Sequence, residues 1–171
     1  MRIGVLAFRP KPQTLAQWQP LAAALKKAIP SRDFRVEAFT YPELNRAVSG
    51  RRLDFVLTNP GHFVQLQMAG QLSAPLATLA VQVAGKRVSQ FGGVIFTRAG
   101  NKEIASLSDV RNKTIAVPDN ESLGGYQMQA YELYRAGLKL PGDAKLLITG
   151  MPHDNVVKAV LEGRADVGFV R

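Results

Sequence analysis

The chain has no cysteine, which excludes a disulfide framework and any thiolate metal centre and leaves the redox compartment undetermined. It also lacks long apolar runs. Residues 55–57 and 76–83 are far too short to cross a bilayer, and no apolar signal segment follows Met1. The first residues, Arg2-Ile3-Gly4-Val5-Leu6-Ala7, already have the look of a strand, so the expectation is that an export signal or membrane anchor has been removed. Histidine is scarce, with His62 and His153 alone. There is no Gly-x-Ser-x-Gly elbow, no Walker loop, no Gly-x-Gly-x-x-Gly after a strand and no His-Glu-x-x-His. With no base, nucleophile or metal constellation, the reading is a protein that is not an enzyme and needs no cofactor or metal.

Acidic residues are in short supply. Thirteen Asp and Glu face 22 Lys and Arg, a net charge of +9 that biases the chain toward anionic partners. The basic residues come as scattered pairs, such as Lys26 and Lys27 or Arg51 and Arg52, without an aromatic-interleaved stripe or a nucleic-acid motif. No nucleic acid is therefore expected as a partner.

The 171 residues, 46% hydrophobic, are enough for one domain or two small lobes. Short apolar runs alternate with amphipathic stretches, the pattern of βαβ units around mostly parallel sheets flanked by helices. In the first half, strands are expected at 3–7, 35–39 and 55–58. A helix follows Thr14 with Leu15, Trp18, Ala22, Leu25 and Ile29 on one face, regular only from about Pro20 onward. Short helices are expected at 42–49, stopped by Gly50, and after Asn59-Pro60-Gly61, stopped by Gly70. Two longer β segments, 75–83 and 90–98, joined by Gly85-Lys86-Arg87, lead into a second half. There Ser108 caps a turn, strands lie at 114–117 and 145–149, and a helix spans 125–136. This places lobe one at 1–91 and lobe two at 92–171. Residues 47–56 and 159–168 share Ala-Val, a glycine stop, an arginine and an aspartate before a strand, one such unit in each half; reuse of a common α/β unit explains the likeness equally well.

Three loops run from a strand end into a helix start, where free backbone N–H groups and the helix dipole favour an oxyanion. They are Thr58-Asn59-Pro60-Gly61-His62, Ser122-Leu123-Gly124-Gly125-Tyr126 and the turn at His153-Asp154. Gly124 and Gly125 would let the backbone approach a ligand, with Ser122, Thr58 and His153 as side-chain donors; alternatively the glycines only permit a turn. His62 alternatively faces solvent on the first turn of its helix. Phe8 and Arg9, after the first strand, add an aromatic wall and a cation. Tyr41, Gln90 and Phe91 are further candidates to line a cleft.

The segments Val56-Leu57-Thr58-Asn59-Pro60-Gly61-His62-Phe63-Val64, Ser108 to Val117, Glu121 to Tyr126 and Gly150 to Gly168 together resemble, in order, the phosphate, phosphite and phosphonate periplasmic binding proteins. The resemblance implies a two-lobed type II periplasmic-binding-protein fold that closes by hinge on a small anionic solute. It also implies an extracytoplasmic place and one of two parents: a membrane signalling protein such as a histidine kinase in the same polypeptide, or an ABC transporter with its permease. An enzyme on the same fold is the third alternative. The phosphonate-binding members carry a Ser-Thr-Ser-Gly loop, whereas this chain has Ser122-Leu123-Gly124-Gly125 after Glu121, so a different small anion or polar solute is expected, such as a sulfur or phosphorus oxyanion or one with an apolar portion resting on Leu123. The C-terminal return to lobe one is expected to be truncated, which makes a homodimer plausible.

Overall fold

A computed structural model describes residues 1–171, and the chain divides into two compact units, Met1–Leu72 and Ser73–Arg171. Residues 73–91, assigned to lobe one from sequence, group with the second unit; they are almost entirely solvent-exposed, and their strands pair with each other.

In the first unit, β1 (Arg2–Leu6) is central, flanked by β2 (Arg35–Phe39) and β3 (Phe55–Leu57), all parallel. Ile3, Val5 and Val36 pack against Ala22, with Leu15, Trp18, Leu21 and Leu25 from α1 (Lys11–Ala28) closing over them. The amphipathic face read from sequence is therefore the buried one, although Ile29 lies beyond the helix and is exposed. The regular helix does not wait for Pro20. It begins at Lys11 and runs unbroken, because Pro20 sits on the exposed face where water satisfies the one carbonyl that loses its donor. Helices α2 (Tyr41–Ser49) and α3 (Pro60–Met68) complete the unit, α3 capped by the Asn59 side chain accepting from the His62 amide at 3.0 Å.

The second unit opens with a hairpin, β4 (Val81–Val83) and β5 (Lys86–Val88). The expected long strand at 75–83 shrinks to three residues and the expected joint becomes a strand, because Ala84 and Gly85 both have positive φ, the two-residue turn that antiparallel twist requires. Next come β6 (Val94–Thr97), β7 (Thr114–Val117), α4 (Met128–Arg135), β8 (Lys145–Ile148), α5 (Asp154–Leu161) and β9 (Val167–Val170). Their sheet has the order β6-β9-β7-β8, parallel except for β6. One face packs Ile115, Val117, Val167 and Phe169 against Leu133 and Leu138; the other packs Ala116 against Val156, Ala159 and Val160.

The two units repeat a motif at the level of single hydrogen bonds. Asp54 accepts the Arg2 amide at 2.7 Å and returns its own amide to the Arg2 carbonyl at 3.0 Å. Asp166 does the same with Thr114, both bonds at 2.9 Å. Each aspartate thus ties the start of a flanking strand to the start of the central one, and the aspartate is the part of the shared sequence pattern that does this work. The shared glycine is not equivalent. Gly50 has a negative φ, and the left-handed residue is Arg51 (φ 51°), which corresponds to Gly163 (φ 74°). A side chain in that region is strained. Arg51→Gly is expected to raise stability by about 0.5–1 kcal/mol in urea denaturation, and Gly163→Ala to lower it by a similar amount.

Candidate functional site

Parallel pairing puts the ends of β1, β2 and β3 at one edge of the first unit's sheet, so the loops carrying Phe8, Arg9, Tyr41, Thr58 and Asn59 all leave from that edge. In the second unit β7, β8 and β9 end at one edge, and antiparallel β6 begins there. The residues before β6 and those after the other three strands are thereby gathered together: Phe91, Ser122, His153 and Arg171. Chain order reverses between β7 and β9, and it is outside such a switch point that ligands of open α/β sheets bind.

Around the start of the helix after β7 the packing is close. The chain enters α4 through a π turn, Leu123–Gln127, in which the Ser122 carbonyl accepts from the amides of both Tyr126 (2.9 Å) and Gln127 (3.0 Å). The expected helix at 125–136 is therefore a π turn followed by α4, and Gly137, in the left-handed region, stops it as expected. The amides of Leu123, Gly124 and Gly125 precede the first repeat of this ladder, where a helix has no acceptors of its own for its N–H groups.

Gly124 and Gly125 are needed for close approach and not for their dihedral angles. A Cβ on Gly125 would lie 2.6 Å from Pro118 Cγ, 2.7 Å from His153 Cε1 and 2.8 Å from Ser122 Oγ. One on Gly124 would lie 2.8 Å from Phe91 Cε2 and 3.1 Å from Arg171 Cγ. The two glycines thus bring Ser122, His153, Phe91 and Arg171 against the helix start. The Arg171 amide donates to His153 Nδ1 at 3.1 Å. Nδ1 is therefore the unprotonated nitrogen and Nε2 carries the hydrogen, which makes His153 a donor at Nε2. The Arg171 guanidinium carbon stands 5.3 Å from the centre of the Phe91 ring.

Gln129, buried on α4, fastens this arrangement. Its Nε2 donates to the carbonyls of Gly124 (2.8 Å) and Val170 (2.9 Å) and reaches that of Val94 at 3.4 Å. One amide thereby joins the π turn, the end of β9 and the start of β6. Its Oε1 is buried without a partner, the cost of having three acceptors on one nitrogen.

The remaining sequence candidates fall in different places. Tyr126 is half-buried and packs on the core beside Leu133, so its role is structural as well as local to the turn. Leu123 is half-buried, and Gln90 is exposed just before Phe91. In the first unit Pro60 occupies the exposed first turn of α3. Tyr41, Thr58, Asn59 and His62 form one network: Asn59 Nδ2 donates to the Tyr41 hydroxyl at 2.8 Å, and the Tyr41 and His62 rings meet edge-on at 5.1 Å. The alternative in which His62 faces solvent does not hold. It is 1% exposed, with Nδ1 2.8 Å from Thr58 Oγ1 and Nε2 2.6 Å from Asn45 Oδ1. The amide oxygen can only accept, so the ring proton sits on Nε2. Neither Asn45 nor Arg171 was anticipated from sequence. For Arg171 the signal was available, since 167–170 reads as a strand ending at the same edge as the other loops.

Two expectations follow. Burial pulls the His62 ring from 6.5 down to about 4. Between those values the unfolded chain binds a proton that the folded one refuses, so this stability is complete above pH 6.5 and is lost as pH falls toward 4. Urea unfolding at pH 7.5 and 4.5 should show a loss on the order of 2 kcal/mol that is absent in His62→Gln. Gly125→Ala is expected to cost about 1–3 kcal/mol by overpacking, whereas Gly92→Ala, which meets nothing within 4 Å, should be nearly neutral in the same assay.

Comparison with known proteins agrees with this fold. The family described as "ABC transporter, phosphonate, periplasmic substrate-binding protein" matches residues 3–171. The tetrathionate sensor histidine kinase TtrS of Salmonella typhimurium is 35% identical over 169 residues, which are 98% of this chain but 28% of the kinase. Among solved structures, XAC2383 from Xanthomonas citri bound to chloride ion has a TM-score of 0.75 at 24% identity, over 99% of this chain and 64% of that one. PhnD1 from Prochlorococcus marinus in complex with methylphosphonate has a TM-score of 0.72 at 18% identity, over 100% of this chain and 63% of that one. The chain thus spans under a third of the sensor kinase and under two thirds of these structures. With strands, switch-point loops and match extending from residue 3 to residue 171, the chain belongs to the phosphonate-type periplasmic substrate-binding protein family.

Proposed function

We propose that this chain is the extracytoplasmic solute-binding input of a membrane sensor, and that its ligand is a small sulfur oxyanion of the tetrathionate kind. The observation that carries the reading is the convergence of donors on Gly124 and Gly125: the Ser122 hydroxyl, the amides at the start of the π turn and the Nε2–H of His153. Such groups serve an oxyanion without proton transfer, and a helix start adds the favourable end of its dipole. Leu123 replaces a further hydroxyl donor with an apolar contact, which suits a ligand with a sulfur chain between charged ends better than one ringed by acceptor oxygens. The likeness to TtrS supports both the ligand class and the sensor parent.

The first-unit candidates form a separate group within their own unit. His62, Thr58 and Asn59 hold the Tyr41 ring at the edge where the loops leave, and Phe8 and Arg9 follow β1 at that same edge. A transporter receptor is the second reading, favoured by the family description, and the two readings share the binding chemistry. In either case the chain binds its solute and does not transform it, as expected for a family of substrate-binding proteins.

Thermal unfolding of the protein with tetrathionate, thiosulfate, sulfate, phosphate and methylphosphonate tests the proposal. A ligand at 100 times its dissociation constant should add about 2.7 kcal/mol of stability, with tetrathionate ahead of methylphosphonate. Absence of stabilisation by every one of these anions would remove it.

A further inference from the structure

We propose that the edge of the first unit from which its strands start is a docking surface for a lipid bilayer bearing anionic phospholipid headgroups, with Ile29 as its apolar tip. This surface is separate from the solute site and does not depend on which anion that site takes.

Basic pairs that lie apart in the sequence meet here because of the topology. β1, β2 and β3 are parallel, so α1 and α2 each run back to the edge where the strands start. The last turn of α1 carries Lys26 and Lys27, and Arg32 lies between that helix and β2. Arg35 opens β2 in register beside Arg2 of β1, while Arg51 and Arg52 follow α2 on the way to β3. Glu37 senses several of these groups at once. Its carboxyl is held below the ordinary value first by the hydrogen bond from Arg2, and also by the charges of Arg52 and Arg35.

The acids at this edge are already engaged. Arg2 grips Glu37 with two bonds of 2.7 and 3.0 Å, Lys26 reaches Asp33 at 2.8 Å, and Asp54 accepts the Arg2 amide. Lys27, Arg32, Arg35, Arg51 and Arg52 are exposed and take part in none of these pairs. The helix dipole accounts for Lys26 and Lys27 at the end of α1, but Arg32, Arg35, Arg51 and Arg52 lie outside the helices. At the corresponding edge of the second unit the charges are matched more closely: Arg111 holds Asp143, Lys113 holds Glu103 and Arg164 holds Glu162.

Two features select a bilayer over an acidic polypeptide. The unmatched cations come from the end of α1, the start of β2 and the turn before β3, on long side chains that nothing else fixes. A fluid layer of headgroups adjusts to such spacing by lateral movement, whereas a folded partner needs its carboxylates at set positions. The second feature is apolar. Ala28, Ile29 and Pro30 are exposed between Lys27 and Arg32, and Ile29 is 44% exposed just past the helix. An apolar side chain among cations gains from the acyl boundary while the cations remain with the headgroups.

Flotation of the full chain with vesicles tests the proposal, using phosphatidylcholine alone, phosphatidylcholine with an equal part of phosphatidylglycerol, and the latter again at about 0.5 M salt. Binding is expected to the anionic vesicles only, and to be lost at high salt. Arg32→Gln, Arg35→Gln and Arg52→Gln combined should weaken it about 100-fold, about fivefold for each cation removed. Ile29→Ser should weaken it about threefold at unchanged charge. Lys102→Gln, Lys139→Gln and Lys145→Gln combined remove the same charge from exposed positions of the second unit and should leave binding within about threefold of normal, which separates a local surface from the field of the whole chain. All these side chains are exposed, so urea unfolding should show the variants as stable as the unaltered protein. Equal weakening by the two triple variants, or equal binding to neutral vesicles, would overturn the assignment. Absence of binding to anionic vesicles would overturn it as well, and salt-sensitive capture by polyglutamate in that case would mark the partner as an acidic polypeptide.

Discussion

The approach of five side chains to the backbone of Gly124 and Gly125 is the constraint on which the site in the second unit depends. Any Cβ at either position would fall inside contact distance of Phe91, Arg171, His153, Pro118 or Ser122. Glycine in a helix start costs stability relative to alanine, so two in succession are a local sacrifice with a spatial return. Because the side chains can close down to the main chain, the Ser122 hydroxyl and the His153 ring lie against the start of the π turn. The π turn belongs to the same arrangement. By sharing the Ser122 carbonyl between two amides it widens the first turn and presents the amides before it at the edge of the sheet.

Sheet topology explains why these residues, far apart in sequence, meet at all. Three strands run the same way and deliver their following loops to one edge, while β6 runs the other way and delivers its preceding segment there. Gln129 then converts proximity into fixed geometry by drawing three carbonyls from three elements onto one nitrogen. The first unit uses the same strand logic but a different fastening. There a neutral histidine, buried between Thr58 and Asn45, supports a tyrosine through an edge-on ring contact, and an asparagine both caps α3 and bonds the tyrosine hydroxyl.

Much of this was legible in the sequence where local chemistry is decisive. The strands at 35–39 and 114–117 appear with the expected bounds, because β-branched and apolar residues there are bracketed by polar turns. Gly70 and Gly137 stop their helices in the left-handed conformation that glycine tolerates. What was misread depends on burial or on unusual dihedrals. The apolar run at 76–83 suggested a long strand, yet it is exposed, and its hairpin turns on Ala84 and Gly85, not on an Asn-Gly pair that would have announced it. Pro20 was given too much weight, since an exposed proline costs one water-replaceable bond in an 18-residue helix. Ser122, Gly124, Gly125 and His153 were singled out from sequence because they lie at helix starts, and the structure brings them close together. Arg171 was passed over because only the sheet order places it beside the others.

The central claim is that an oxyanion rests on the amides that open the π turn. Backbone ¹⁵N–¹H spectra recorded while the protein is titrated with tetrathionate test it most directly. The account expects the largest and earliest shifts at Leu123, Gly124 and Gly125, accompanied by Ser122 and Arg171. Saturable shifts confined to residues elsewhere, such as the exposed loop around Gly100 to Glu103, with 122–125 unmoved, would contradict it.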